Sequence, residues 1–144
     1  MAKEILFICT GNYYRSRFAE AMFNHGAEAR NLPWRAFSRG LAIHLVQDAL
    51  SPHTHKALHA RQVPLRHTAP DRQSLTESDL KRAARTIALK RVEHLPMMQE
   101  QFPDWSAKIN YWEVHDIDFI SPEEALPQIE TLVSSLLDEL EKGK

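Results

Sequence analysis

The sequence has a single cysteine among its 144 residues. A lone thiol cannot close an internal disulfide, which suits a reducing compartment, and the cytoplasm is the expected location. Nor is there an excess of charge: the formal net charge is −1 with histidine neutral, and charged residues make up 26%. That balance gives no global attraction to nucleic acid or to an anionic membrane, so neither is expected as a partner. No apolar run approaches the roughly 20 residues a bilayer span requires. The opening residues lack the basic segment and long apolar stretch of a signal peptide. Repeats, low-complexity tracts and linkers that would divide the chain are absent too. What remains is one domain over residues 1–144, long enough to close a core.

The apolar residues that are present fall into short, punctuated runs. "KEILFIC" (3–9) holds Ile5 to Ile8 and ends in turn residues, the pattern of a buried strand. "RSRFAEAMFNHGAEA" then spaces Phe18, Ala21, Met22 and His25 as one helical face, with Ser16 as its capping residue. "WRAFSRG" (34–40) reads as a second strand, "RTIALK" (85–90) as a third and "KINYWEV" (108–114) as a fourth. Between them lie helical stretches. "SPHTHKALHARQ" opens on Ser-Pro, and "TESDLKRAA" pairs Thr76 with Asp79 as a capping box. "RVEHLPMMQEQF" is helical with Pro96 inside it, against the rule that proline breaks helices. The last segment, from Ser121, starts with Ser-Pro and two glutamates and carries a stripe of Ile129, Leu132, Val133, Leu136, Leu137 and Leu140.

Strands alternating with helices predict an α/β fold, a parallel sheet flanked by helices with right-handed crossovers. Ligands of such sheets sit beyond the carboxyl ends of the strands. Cys9 occupies that place after the first strand, and Asp116 after the last.

The residues from Cys9 to Ser16 carry the chemistry. A thiol is a strong nucleophile only as the thiolate, and its ordinary pKa of about 8.5 is too high for that at neutral pH. A helix amino terminus stabilises an anion, and Gly11 with Asn12 lets backbone N–H groups converge into an anion-binding nest. Arg15 adds a planar fork able to hold two oxygens of a tetrahedral oxyanion, and the Ser16 hydroxyl could donate to the sulfur. Together these residues describe a phosphate cradle with a nucleophile at its base. Eight histidines raise the question of a metal, and His53, His55 and His59 stand close in sequence. No cysteine joins them and no His-Glu-x-x-His pattern occurs, so neither metal nor other cofactor is expected.

"CTGNYYRS" resembles the signature loop of the low-molecular-weight protein tyrosine phosphatases, written C-x-G-N-x-C-R-S, a family that includes related arsenate reductases. "FSRG", "LSPHTHKALHARQVPLRHTA" and "WEVHDI" resemble later segments of the same family, so the likeness spans nearly the whole chain. It implies a three-layer domain with a four-stranded parallel sheet and a phosphate-binding loop after strand 1. Within it Cys9 attacks phosphorus, Arg15 holds the phosphoryl oxygens and Asp116 serves as general acid. Thr10, Gly11, Asn12, Tyr13, Tyr14 and Ser16 line the loop and bind substrate, and Asn12 holds the loop in shape, supported by Ser38 and His67. The implied substrate is a phosphorylated protein, phosphotyrosine above all, or a small aryl phosphate.

The chain departs from that pattern in three places. Tyr14 stands where the family has a second cysteine, which leaves an oxidised Cys9 without a resolving thiol. Ile117 replaces the proline after the acid, and Asp118 becomes a competitor for Asp116, which is preferred because it follows the valine as the family's aspartate does. Aromatics are scarce at the mouth, where Phe119 follows the aspartates and Tyr13 offers a wall. A thiol-dependent arsenate reductase, with arsenate in place of phosphate and electrons from an external thiol, is the nearest rival. A phosphate-binding domain of weak activity is the third reading.

Overall fold

Ile5, Leu6, Phe7 and Ile8 are wholly buried, as a strand with neighbours on both edges and both faces must be. They belong to β1 (Lys3–Cys9), which pairs in parallel with β2 (Trp34–Gly40) on one side and β3 (Arg85–Ala88) on the other. A short β4 (Asn110–Tyr111) extends the sheet beyond β3, giving the order β2-β1-β3-β4. The computed structural model describes residues 3–117 and 119–143, so the rival acid Asp118 lies outside the described residues.

Parallel pairing demands crossovers, and helices supply them. α1 (Arg15–Ala29) joins β1 to β2, α2 (Pro52–Ala60) and α3 (Glu77–Arg82) lie between β2 and β3, α4 (Arg91–Gln101) leads to β4, and α5 (Pro122–Lys142) closes the chain. Side chains alternate across β1. Ile5 and Phe7 pack with Phe18 and Phe23 of α1 and with Ile129 and Val133 of α5, whereas Leu6 and Ile8 pack with Leu80 of α3 and Met98 of α4. The sheet is thus the middle of three layers. Each fully buried aliphatic side chain contributes about 1.5–3 kcal/mol, and these two clusters hold the layers together.

Local chemistry sets the helix starts. Ser51 Oγ accepts from the His53 N–H at 3.2 Å with Pro52 in the first helical position. Thr76 and Asp79 form the expected capping box. Two strands are shorter than the sequence pattern predicts: β3 stops at Ala88 and β4 keeps only Asn110 and Tyr111. Beyond them the chains remain linked, because the Trp112 and Val114 N–H groups still donate to the Ala88 and Leu89 carbonyls. Pro96 sits inside α4 without breaking it. Proline removes the bond to the Val92 carbonyl, and both residues lie on the exposed side, where water replaces it.

The chain runs from β1 to β2 on one side, and β3 lies on the other. The order therefore reverses at the carboxyl end of β1, where an α/β sheet opens its ligand crevice. Cys9 is the last residue of that strand.

Candidate active site

Between β1 and α1 the chain makes a tight loop whose shape depends on Asn12. This residue has φ 51°, the left-handed region that asparagine tolerates better than most residues, while Gly11 does not use it. The Asn12 side chain is fully engaged. Its Nδ2 donates to Ser16 Oγ at 3.0 Å and to Ser38 Oγ at 2.9 Å, and its Oδ1 accepts from the Gln73 N–H at 2.8 Å. Ser16 is not the cap of α1: Tyr14 holds that position without a side-chain bond, and Ser16 lies inside the first turn. Its oxygen already accepts from Asn12, so its proton is free for Cys9 Sγ, 2.9 Å away. Gly40 completes the support from β2. A Cβ there would come within 2.8 Å of the Thr10 carbonyl and 3.0 Å of Asn12 Cβ, so only glycine lets the strand pass this close to the loop.

Arg15 extends over the end of the sheet and is almost completely buried. Its Nη1 donates to the Val114 carbonyl at 3.0 Å and its Nη2 to Glu93 Oε2 at 2.8 Å. Glu93 also accepts from Thr10 Oγ1 and lies 3.1 Å from His94 Nε2. The His94 Nδ1 accepts from the Lys90 N–H, so Nε2 carries the ring proton and donates it to Thr10 Oγ1 at 3.2 Å, beside Glu93. Burial works against the Glu93 charge, but the His94 and Arg15 donors outweigh it and hold the carboxyl well below the usual carboxylate range. The sequence reading missed Glu93 and His94. An acid in the first turn of a helix looks like an ordinary partner for the helix dipole, and nothing local ties it to Arg15, 78 positions earlier.

Asp116 reaches the same place from beyond the edge strand, at the same carboxyl end of the sheet. Its Oδ2 lies 3.6 Å from Arg15 Nη2, and its Oδ1 accepts from the Ile117 N–H at 2.9 Å. A proline at 117 would have no N–H to give, so the isoleucine orients the carboxylate. The Phe119 and Ile120 N–H groups both donate to the Asp116 carbonyl, which folds this loop into a turn.

These groups surround a cavity of about 540 Å³ that Cys9, Tyr13, Tyr14, Arg15, His53 and Asp116 help to line. Gly11 and Thr10 contribute to its wall, whereas Asn12 and Ser16 lie behind it. The Tyr14 phenol is pushed up to about 12, first by burial and then by Asp116, and its hydroxyl has no partner among the described residues. Of the two supports expected behind the loop, Ser38 is in place, donating onward to Glu20 Oε1 at 2.6 Å. His67 is not: both ring nitrogens lack partners among the described residues, and the ring stacks edge-on against His25. Among the described residues no three His, Cys, Asp or Glu side chains cluster as a metal ion would need.

A buried sulfur, a guanidinium and a carboxylate that converge on one cavity can together take a tetrahedral oxyanion. Comparison with known proteins agrees with that chemistry. Residues 4–144 match the model of the family described as low molecular weight phosphotyrosine protein phosphatase. The chain is also 31% identical, over 106 residues, to the protein-arginine-phosphatase of Bacillus subtilis (strain 168), covering 74% of this chain and 67% of that protein. The chain belongs to this phosphatase family. Among solved structures, YfkJ from Bacillus subtilis superposes with a TM-score of 0.86 at 22% identity, over 100% of this chain and 98% of that one, and shows the fold. The low molecular weight protein tyrosine phosphatase from T. tengcongensis matches with a TM-score of 0.76 at 25% identity, over 99% and 100% of the two chains.

The phosphatase also carries a second buried arginine directly behind its loop. Arg17 Nε donates to Thr68 Oγ1 at 2.6 Å and Nη1 to the Ala49 carbonyl at 2.8 Å, while Nη2 donates to the Ala69 carbonyl. Glu20 accepts from Thr68, Ser38 and the Ala69 N–H, so this cation and anion tie two loops to α1 underneath the cradle. Replacing the guanidinium leaves the buried Thr68 hydroxyl and the Ala49 and Ala69 carbonyls without these donors, and the buried Glu20 without its cation. Arg17→Met is therefore expected to lower the unfolding free energy of the phosphatase by about 3–5 kcal/mol, read from urea denaturation. A loss below about 1 kcal/mol would show that water replaces the guanidinium there.

Proposed function

We propose that the chain is a cysteine-dependent phosphatase of phosphorylated protein side chains, phosphotyrosine foremost, working as one domain over residues 1–144. The observation that carries this reading is the convergence of Cys9, Arg15 and Asp116 on one cavity, with the Ser16 hydroxyl directed at the sulfur. Cys9 Sγ, as thiolate, attacks phosphorus while the bond to the leaving oxygen breaks, and Asp116 delivers its proton to that oxygen. The loop N–H groups and Arg15 stabilise the charge on the phosphoryl oxygens. Asp116, now ionised, takes a proton from water as the water attacks phosphorus. The sulfur–phosphorus bond breaks and phosphate leaves. A second cavity of about 390 Å³ shares His53 with the first, which gives a protein substrate room beyond its phosphorylated side chain. The thiol nucleophile must stay reduced, which supports a cytoplasmic location. Arsenate reduction needs thiols to carry electrons, and beyond Cys9 the chain has none, so that activity would draw all of them from an external thiol.

One observation favours a second reading, phosphoarginine as the substrate: the relative from Bacillus subtilis is a protein-arginine-phosphatase. Two peptides of one sequence, bearing phosphotyrosine or phosphoarginine at the same position, separate the two when phosphate release is measured. The first reading expects the larger kcat/KM on phosphotyrosine. The reverse order establishes the second, and no release from either overturns both.

A further inference from the structure

The Arg15 guanidinium has five N–H donors, and two are committed away from the cavity, one to the Val114 carbonyl and one to Glu93. Those two bonds leave the rest of the fork for a phosphoryl group. Glu93 is well held itself, because Thr10 Oγ1 and Arg15 Nη2 both donate to its Oε2 and His94 Nε2, bonded to Thr10, lies 3.1 Å away. It thereby joins three elements: the cradle through Thr10, the arginine at the start of α1, and α4. It also brings a full negative charge to within 2.8 Å of the cation that must attract a dianion.

We infer that Glu93 is a positioning residue of this active centre: it fixes the phosphate-facing edge of Arg15 and, by its charge, keeps the cradle from holding free phosphate too tightly. The inference rests on the phosphatase reading and adds a residue to it. The two effects oppose each other in binding and can be separated by substitution. In Glu93→Gln the amide oxygen still accepts from Arg15, but the charge is gone. In Glu93→Asp the charge stays, but the carboxylate is one methylene short of the guanidinium. A residue that only stabilised the fold would weaken binding in both variants or in neither.

The test measures binding of inorganic phosphate by calorimetry, which needs no turnover, beside steady-state hydrolysis of p-nitrophenyl phosphate. Glu93→Gln is expected to bind phosphate about tenfold more tightly than wild type, with KM lowered and kcat not raised, because an opposing charge close to the ligand has been removed. Glu93→Asp is expected to bind about tenfold more weakly, with KM raised and kcat lowered, because the arginine that binds phosphate and stabilises the transition state is no longer held. Equal or weaker phosphate binding by Glu93→Gln overturns the inference, and so does unchanged binding by Glu93→Asp. Should Glu93→Gln not fold, the aspartate variant decides alone. Phosphate binding without any hydrolysis would sink the phosphatase reading yet leave this comparison readable.

Discussion

Cys9→Ser is expected to abolish hydrolysis of p-nitrophenyl phosphate, with a loss of at least ~10⁴-fold in kcat, since the alkoxide is far harder to form than the thiolate. The same variant should still bind inorganic phosphate. The N–H groups of the loop, Arg15 and the Asn12 scaffold do not depend on the sulfur. Catalysis and binding thus part company in one protein: steady-state assay reads the first, calorimetry the second. A Cys9→Ser protein that keeps even a tenth of wild-type turnover would remove the sulfur from the chemistry. One that loses phosphate binding as well would mean that the cradle had collapsed.

Asp116→Asn carries the next largest effect, about 10²–10⁴-fold in kcat on an aryl phosphate, the range for losing a general acid. The amide keeps an oxygen for the Ile117 N–H, so the loop geometry should survive and KM should move little. The loss should shrink on a substrate whose leaving group needs no proton. Asp118→Asn provides the control, because its effect should be much smaller. Equal losses in the two variants would withdraw the assignment of Asp116, and a larger loss at Asp118 would transfer the role to it.

The loop that joins Cys9 to the start of α1 was legible because its information is local. Cys9, Gly11, Asn12, Arg15 and Ser16 fall within eight residues between a buried strand and a helix, and each chemical property read from them concerns atoms a few bonds apart. The helix starts at Ser51 and Thr76 were legible for the same reason. Ser16 was misread as a cap because a serine at a helix start usually caps it. Here the hydroxyl is claimed by the sulfur and by Asn12 instead. What escaped the sequence came through tertiary structure. Glu93 and His94 reach the loop because β3 lies beside β1, so that α4 begins next to the cradle, a placement no local spacing encodes. The full strand expected at 108–114 contracted to two residues, and the bonds beyond it serve to carry Val114 and Asp116 to Arg15 rather than to lengthen the sheet. His67 was assigned a supporting role that its orphaned ring nitrogens do not fulfil, while the Gln73 backbone N–H bonds Asn12 instead.

The most direct test of a sulfur nucleophile is to look for the phosphoryl group on it. Asp116→Asn enzyme, in which water attack is also slowed, is mixed with an aryl phosphate, quenched in acid within the first turnovers and digested for mass spectrometry. The mechanism predicts one added phosphoryl group on the peptide that contains Cys9, in an amount that rises and falls with turnover. Product formation with that peptide never modified, or with the phosphoryl group on another side chain, would contradict it.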